Sequence, residues 1–341
     1  MVIRNLPRQD ASATTDVCAI GNAIVDVIAE CDEAFLEAQG ITKGGMTLID
    51  EQQAAALYKK MGPAIEMSGG AAANTAAGIA SLGGTPSYIG KVKNDQFGIV
   101  FCHDMKSSGV EFLTSALQEG PATAQCLILV TPDAQRSMNT YLGACVDLFP
   151  EDIDVALVQK AQVTYLEGYL FDKPKAQEAF YLAAKTVHEA KRCLALSLSD
   201  TFCVDRHRDG FLKLVRDEVD FLIGNEMELI SLYQTSSFDE AMEKARQQCS
   251  IVVGTRSEKG AVIVSGEETH IIQAEKAESV LDTTGAGDLF AAGFLYGVTH
   301  GHDLETSGRL GAIAASEIIS HYGPRPQREL KAYVQEKKIK I

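Results

Sequence analysis

Residues 282–288 read Asp-Thr-Thr-Gly-Ala-Gly-Asp, and the apolar run Leu-Phe-Ala-Ala follows them directly. This heptapeptide predicts a tight turn at the start of a buried helix, where the backbone N–H groups of Gly285, Ala286 and Gly287 converge on one anion. The positive end of the helix dipole adds to that attraction. The carboxylate of Asp288 would repel the anion, so its placement favours a base that orients an attacking hydroxyl. The pattern therefore indicates phosphoryl transfer, with an ordinary helix cap at Asp288 as the alternative.

Composition excludes several classes of protein. The chain has 341 residues, 46% of them hydrophobic, which is enough for one large α/β domain or two smaller ones. Its formal net charge of −15 argues against a surface for nucleic acid or anionic membrane. No apolar run is long enough to span a bilayer, and the polar residues 1–16 predict a disordered tail without the apolar region of a signal peptide. Eight scattered cysteines fit reduced thiols, so we expect a cytoplasmic protein.

Strand and helix patterns alternate along the chain from about Val163 onward. This alternation predicts an α/β fold with three layers, α/β/α, around a mostly parallel sheet whose ligands bind at the carboxyl ends of the strands. Segments near 22–50 and 121–145 show alternating polarity instead, which predicts a small β-sheet that acts as a lid. No linker divides residues 17–341, so we expect them to form one domain.

The heptapeptide resembles the C-terminal signature of the ribokinase-like (PfkB) carbohydrate and nucleoside kinases. Other segments of that family's pattern appear in the expected order, so the resemblance covers about residues 17–326. It implies the ribokinase-like fold and an ATP-dependent phosphotransferase that acts with Mg²⁺ on a primary CH₂OH group. The resemblance also implies that residues 285–287 form the anion hole and that Asp288 is the catalytic base.

Two N-terminal segments match the family's substrate-binding elements. Asp26 ends the run Gly-Asn-Ala-Ile-Val-Asp, while Gly69, Gly70 and Asn74 lie in the run Ser-Gly-Gly-Ala-Ala-Ala-Asn. The resemblance implies that these four residues bind the substrate and that the two oxygens of Asp26 accept hydrogen bonds from a vicinal diol. The alternative for Asp26 is a turn cap. The alternative for residues 68–74 is a small-residue helix packed closely on the sheet.

The class of substrate is less defined than the reaction. Glu167 ends a predicted strand and is a further candidate for contact with the substrate. Ala71 stands where some sugar kinases of the family carry Lys, which argues against a simple ribokinase assignment. Segments 21–26, 44–50 and 136–144 look more like the adenosine-kinase-like branch. The substrate can therefore be a nucleoside or a free furanose.

The resemblance assigns ATP to three C-terminal segments. Asn225 and Glu228 match the family's Asn-x-x-Glu element, in which the carboxylate acts on Mg²⁺ through water. Thr255 and Gly260 match a loop that contacts the nucleotide, and Ala315 would border the adenine ring. The alternative for Asn225 and Glu228 is that they only begin a helix, where acidic residues are favourable. The alternative for the loop after Thr255 is an ordinary hairpin turn.

A monovalent cation is the last ligand that the resemblance implies. Asp282 and the backbone of Thr284 match positions that hold such a cation in many relatives, so K⁺ is a candidate cofactor. The cation would place a positive charge behind the turn that forms the anion hole. A turn-capping role for Asp282 is the alternative.

Three other interpretations compete with a kinase. A sensing or interaction protein could keep the fold without turnover, although an intact Asp288 argues against it. A P-loop fails because Val92 stands where Ser or Thr should be, and a dinucleotide fingerprint fails because Phe290 holds the place of the third glycine. The expected partner is therefore a small sugar or nucleoside, without nucleic acid or membrane, and the exposed edge of the lid is a candidate homodimer surface.

Overall fold

Two β-sheets organise the chain in the computed structural model, which describes residues 12–133 and 135–339. Within these residues the larger sheet has nine strands and the small sheet has five. The strands are β1 (Thr15–Ile20), β2 (Ile24–Glu30), β3 (Met46–Leu48), β4 (Ala64–Gly69), β5 (Pro86–Ile89), β6 (Glu111–Phe112), β7 (Ala124–Val130), β8 (Arg136–Tyr141), β9 (Ala161–Glu167), β10 (Cys193–Ser197), β11 (Phe221–Asn225), β12 (Ile251–Thr255), β13 (Ala261–Ser265) and β14 (Glu268–Ile272).

The larger sheet runs in the order β14-β13-β12-β11-β10-β9-β1-β5-β6. Neighbouring strands from β12 to β6 pair in parallel, and β13 and β14 add an antiparallel hairpin at one edge. Parallel neighbours need crossover connections over the faces of the sheet, and helices provide most of them. The mostly parallel sheet predicted from the sequence is confirmed.

Helices cover both faces of the larger sheet. They are α1 (Glu33–Gln39), α2 (Glu51–Tyr58), α3 (Ala71–Ser81), α4 (Gln96–Ser107), α5 (Val155–Lys160), α6 (Pro174–Glu189), α7 (Thr201–Asp217), α8 (Glu226–Tyr233), α9 (Phe238–Arg246), α10 (Ala286–Thr299), α11 (Leu304–Ile318) and α12 (Leu330–Glu336). Helices α5 to α9 pack against one face, while α3, α4 and α10 to α12 pack against the other.

Strand β1 shows how the two layers of helices are separated. Side chains of a strand alternate between the two faces of its sheet. Val17 and Ala19 belong to the core with α3 and α10, whereas Cys18 and Ile20 belong to the core with α5 and α6. Residues 17–20 of this strand are buried on both faces, and they form a continuous apolar run. The three-layer arrangement is therefore confirmed.

The small sheet runs in the order β3-β8-β7-β2-β4. Strand β2 pairs in parallel with β7 and antiparallel with β4. Four of the strands come from the two segments in which alternating polarity predicts a small sheet. Strand β4 was missed, because the sequence indicates only a glycine loop at its end, where Ser68 and Gly69 still pair with β2. That this sheet acts as a lid stays a prediction.

The predicted N-terminal tail, residues 1–16, lies mostly outside the described residues. Its last two residues are ordered, which corrects the predicted boundary, because Thr15 and Asp16 belong to β1. There the carboxylate of Asp16 accepts a 2.7 Å hydrogen bond from the backbone N–H of Thr85. In the described part of the chain, no helix has both the length and the apolar character that crossing a bilayer requires.

Candidate active site

The carboxyl ends of the central parallel strands form one polar edge. Glu167 ends β9 opposite Ser197 of β10, and Asn225 ends β11 opposite Thr255 of β12. Ligands of open parallel sheets bind at this edge. The residue predicted for the substrate and those predicted for the nucleotide therefore follow one another along the same edge, in strand order.

The heptapeptide forms the turn that begins α10. Gly285 is the N-cap residue of this helix and has φ +80°, a left-handed conformation that favours glycine. The N–H of Ala286 donates to the carbonyl of Thr283 at 3.2 Å. The N–H groups of Gly285 and Gly287 make no hydrogen bond to any described residue, and a Cβ on Gly287 would meet nothing within 4 Å. The predicted anion hole of three N–H groups thus has two open ones in this conformation.

Asp288, the predicted base, lies in the first turn of α10 and contacts α3. Nδ2 of Asn74 donates a 2.8 Å hydrogen bond to Oδ2 of Asp288, and Oγ1 of Thr75 donates to its backbone carbonyl at 3.1 Å. Burial raises the pKa of Asp288 from 3.8 to about 6, although the bond from Asn74 and the charge of Arg325 act in the opposite direction. Such a carboxylate is ionised at neutral pH and accepts a proton more readily than an ordinary one.

Asp26 is a buried acceptor without a donor. It lies in β2 with only 7% of its surface exposed, and no described residue donates a hydrogen bond to its carboxylate. Burial raises its pKa from 3.8 to about 7, opposed by the positive charges of Arg325 and Arg136. Gly69 leaves room for this carboxylate, because a Cβ there would lie 2.4 Å from Oδ2 of Asp26. A hydroxyl of a bound substrate would supply the missing donor.

Two more acceptors near Asp26 lack a donor. Oδ1 of Asn22 and Oδ1 of Asn74 are buried without a hydrogen-bond partner among the described residues. Both lie beside the junction between β4 and α3, where Gly70 has φ +91° and approaches the carbonyl of Asn22. Buried acceptors are normally paired, so this cluster fits a ligand that carries several hydroxyl groups.

Glu167 uses both carboxylate oxygens within the protein. Oε1 accepts hydrogen bonds from N and Nδ2 of Asn22 at 3.2 and 2.9 Å, and Oε2 accepts one from N of Ala72 at 2.8 Å. Only 1% of Glu167 is exposed. It satisfies an N–H at the start of α3 and holds Asn22 in place. These contacts favour a positioning role for Glu167 over the predicted contact with the substrate.

Arg325 is a residue of this region that sequence reasoning missed. Its Nε and Nη2 donate to O and Oγ of Ser68, both at 3.0 Å, and its Nη1 donates to the carbonyl of Ala73. It therefore joins the end of β4 to the first turns of α3, and its charge lowers the pKa of both Asp26 and Asp288. Arg325 and Ser68 are 257 positions apart in the chain, so no local pattern indicated the contact.

The residues predicted to bind a monovalent cation are joined to an arginine. Oδ2 of Asp282 lies 2.9 Å from Nη1 of Arg136, the first residue of β8, and accepts a second bond from N of Gly323 at 3.1 Å. Oδ1 of Asp282 accepts a bond from N of Thr284, also at 3.1 Å. As arranged here, this carboxylate does not fit a K⁺ site, because it already pairs with the guanidinium of Arg136.

Asn225 and Glu228 form a reciprocal cap at the start of α8. N and Nδ2 of Asn225 donate to the Glu228 carboxylate at 2.9 and 2.6 Å, and N of Glu228 donates to Oδ1 of Asn225 at 2.9 Å. Burial raises the pKa of Glu228 from 4.5 to about 7. The described residues contain no cluster of three or more acidic, His or Cys side chains that could hold a metal. Glu228 would act on Mg²⁺ only through water and the nucleotide, and this role stays a prediction.

The other residues predicted to bind ATP lie at a strand end, in a turn and in a helix. Thr255 ends β12 beside Asn225. Gly260 has φ +80° in the turn after β12, and a Cβ there would lie 2.0 Å from the carbonyl of Ile272, so the turn itself requires glycine. Ala315 is half-buried in α11. Contact of these residues with a nucleotide stays a prediction.

Comparison with known proteins identifies the family of the chain. Residues 50–330 match the profile of the pfkB family of carbohydrate kinases. The solved adenosine kinase of Sinorhizobium meliloti is 50% identical, with a TM-score of 0.88, and the match covers 95% of this chain and 100% of that one. A probable sugar kinase of Rhizobium etli CFN 42 is 49% identical, with a TM-score of 0.89 and coverage of 96% and 99%.

A more distant relative supports the same branch of the family. The adenosine kinase of Saccharomyces cerevisiae is 27% identical over 342 residues, which cover 94% of this chain and 99% of the yeast protein. The predicted adenosine-kinase-like branch is therefore supported. With the three-layer fold and the family profile in agreement, the chain is a member of the pfkB family of carbohydrate kinases.

Proposed function

We propose that this chain transfers the γ-phosphoryl group of ATP to the primary 5′-hydroxyl of adenosine. The observation that carries the proposal is the position of Asp288, held 2.8 Å from Asn74 in the first turn of α10. The open N–H groups of Gly285 and Gly287 lie directly before it in the chain. A base beside an anion-binding turn is the pair of groups that phosphoryl transfer to an alcohol needs.

The reaction is direct, in-line and without a covalent enzyme intermediate. Asp288 accepts the proton of the attacking hydroxyl and orients its oxygen toward the γ-phosphorus. The bond from that oxygen to phosphorus forms while the bond from phosphorus to the β–γ bridging oxygen breaks, and ADP leaves. The N–H groups of Gly285 and Gly287 and the dipole of α10 stabilise the charge on the phosphoryl group. The buried N–H donors left over on Arg136 are also available to it.

The unpaired acceptors support a ribose as the group that is bound. The Oδ1 atoms of Asn22 and Asn74 lack a donor among the described residues, and the hydroxyls of a ribose would supply one to each of them and to the buried carboxylate of Asp26. Free furanoses share these hydroxyls. The 50% identity to a solved adenosine kinase favours the nucleoside over the free sugar.

ATP would lie along the strand ends beyond the substrate. Asn225 and Thr255 end adjacent strands, and Glu228 begins the helix after one of them. Mg²⁺ carried by ATP would neutralise phosphate charge when bound. The half-buried Ala315 remains our candidate for the adenine contact, because a small side chain admits a flat ring.

The proposal also covers the role of the small sheet, the oligomeric state and the location in the cell. The small sheet would close over the sugar and exclude water, which suppresses hydrolysis of ATP. Its edge strands β3 and β4 expose Met46, Leu48 and Ile65, each more than half accessible, which supports a homodimer through this sheet. The eight cysteines are reduced thiols, which supports a location in the cytoplasm. A sensor without turnover is not favoured, because Asp288 and its turn are intact.

A panel of acceptors tests the proposal. We would measure ADP formation by the purified full chain with ATP and Mg²⁺, and offer adenosine, inosine, guanosine, ribose and fructose. We expect kcat/KM for adenosine to exceed that for each other acceptor by about tenfold or more, which is a difference of roughly 1.4 kcal/mol in transition-state binding. Phosphorus NMR should identify a 5′-phosphate. Absence of turnover with every acceptor would overturn the proposal in favour of a sensor.

A further inference from the structure

Arg136 and Asp282 form an ion pair that joins the small sheet to the catalytic turn. Arg136 is the first residue of β8, and Asp282 is the first residue of the heptapeptide. Their side chains are 8% and 5% exposed, so the pair is shielded from water, and the two charged atoms lie 2.9 Å apart. The same Nη1 atom lies 3.5 Å from Oγ1 of Thr284. One guanidinium thus reaches both residues that the sequence predicts as ligands of a monovalent cation.

Three of the roughly four lone pairs of the Asp282 carboxylate are used within the protein, and one of these three pairs with a positive charge. Oδ1 accepts a bond from Thr284, and Oδ2 accepts bonds from Gly323 and Arg136. A K⁺ ion on this carboxylate would have to displace the guanidinium or share a buried space with it. Two positive charges that share one buried space repel each other strongly, because water is excluded.

We infer that Arg136 is a built-in cation that replaces K⁺ in this chain, an inference that rests on the proposed kinase function. A guanidinium keeps its positive charge at every physiological pH. It therefore gives Asp282 and the turn behind Gly285 a permanent counter-charge. Because Arg136 belongs to the small sheet, this charge stays beside the anion hole only while β8 lies against the turn. The anion hole and the position of the small sheet are coupled for this reason.

The remaining nitrogens of Arg136 point to a functional placement. Nε and Nη2 are buried and find no acceptor among the described residues. An ion pair that served only the stability of the fold would be expected to have all its donors satisfied. An arginine with spare donors beside the anion-binding turn fits a charge that serves the phosphoryl group as well as Asp282.

The test compares K⁺ with tetramethylammonium, a cation too large for the site, at equal ionic strength. For the wild type we expect the rate of ADP formation from ATP and adenosine to change by less than about twofold between the two salts. We expect its melting temperature to be the same in both salts, because no K⁺ ion binds selectively to the folded state. A rate at least about tenfold higher in K⁺, or a melting temperature raised selectively by K⁺, would overturn the inference.

Arg136→Met opens the site while keeping most of the side-chain volume. We expect this variant to lose at least about tenfold of its rate in tetramethylammonium, and K⁺ to restore part of the rate and raise the melting temperature. Arg206→Met is the matched control, because it removes an exposed arginine from its pair with Asp172 and should behave as the wild type in both salts. A variant of Arg136 that ignores K⁺ in both measurements would count against the inference.

The two measurements separate this inference from the proposed function. Melting requires no substrate, so the comparison of salts is informative even if adenosine is not the acceptor. If the Arg136 variant does not fold, the wild-type measurements alone still support or overturn the inference.

Discussion

Asn74 donates a 2.8 Å hydrogen bond from Nδ2 to Oδ2 of Asp288, and so joins the first turns of α3 and α10. The two residues are 214 positions apart in the chain. The bond favours the ionised form of Asp288, which burial disfavours, and the balance gives this carboxylate a pKa of about 6. Oδ1 of Asn74 lacks a partner in the described part of the chain, so the same side chain is also available to the substrate.

Replacing Asp288 by Asn should separate chemistry from binding. The change Asp288→Asn keeps the shape of the side chain but removes the proton acceptor. We expect kcat to fall by a factor of ~10² or more, the loss typical of removing a general base. The melting temperature and the KM for ATP should change little. Steady-state kinetics and a thermal melt check this, and near-normal turnover would contradict the role of Asp288.

The rate should depend on pH through Asp288. Its active form is deprotonated and its pKa in the folded protein is raised to about 6, so kcat at saturating acceptor and ATP should fall as pH drops through that value. We expect a decrease approaching tenfold per pH unit below about pH 6. A profile that stays flat down to about pH 5 would exclude Asp288 as the base.

Loss of stability should not explain this decrease. Between the ordinary value of 3.8 and the folded value of about 6, the folded state binds more protons at Asp288 than the unfolded state does. This group alone therefore makes the folded state more stable as pH falls through that window. A melt at each pH serves as the control.

Adding a methyl group at Gly69 should affect the acceptor and not ATP. A Cβ there would lie 2.4 Å from Oδ2 of Asp26, so Gly69→Ala must push this carboxylate away from the substrate. We expect KM for the acceptor to rise by about tenfold, the equivalent of a modest overpacking cost, while KM for ATP is unchanged. Gly62→Ala is the matched control, since a Cβ at Gly62 meets nothing within 4 Å. Equal kinetics of the two variants would contradict the role of Asp26.

Glu167→Gln tests a positioning role. A glutamine has one acceptor oxygen and cannot serve both Asn22 and Ala72, which now bind different carboxylate oxygens. We expect the free energy of unfolding to fall by about 1–3 kcal/mol and KM for the acceptor to rise, because Asn22 and the start of α3 lose their support. The exposed Glu178→Gln is the control. A stable variant with normal KM would show that Glu167 does not position these residues.

Local sequence was sufficient to predict the turn that begins α10 and the fold class. The turn at residues 285–287 depends on glycine and on the apolar helix that follows, and both are neighbours in the chain. The double-faced burial of strands such as β1 follows from their continuous apolar runs. Chain order alone also indicated that Glu167, Asn225 and Thr255 end parallel strands.

The contacts of the site could not be predicted in the same way. Strand β4 was missed because its pairing with β2 depends on a distant partner more than on its own pattern. Glu167 could not be recognised as the support of Asn22, nor Arg325 as the link between Ser68 and Ala73, since these partners are far apart in the chain. Asp282 matched a cation site in sequence, and only packing of β8 against the turn brought Arg136 to it.

By itself, the sequence determined the family, the three-layer fold and the turn that begins α10, because each depends on residues close together in the chain or on a regular alternation. Tertiary structure alone decided which carboxylates are buried, which pair with another side chain and which have no donor among the described residues. Asp282 and Asp288 illustrate the difference. They lie in one heptapeptide, yet Asp282 meets an arginine and Asp288 meets an asparagine, because different elements pack against each of them.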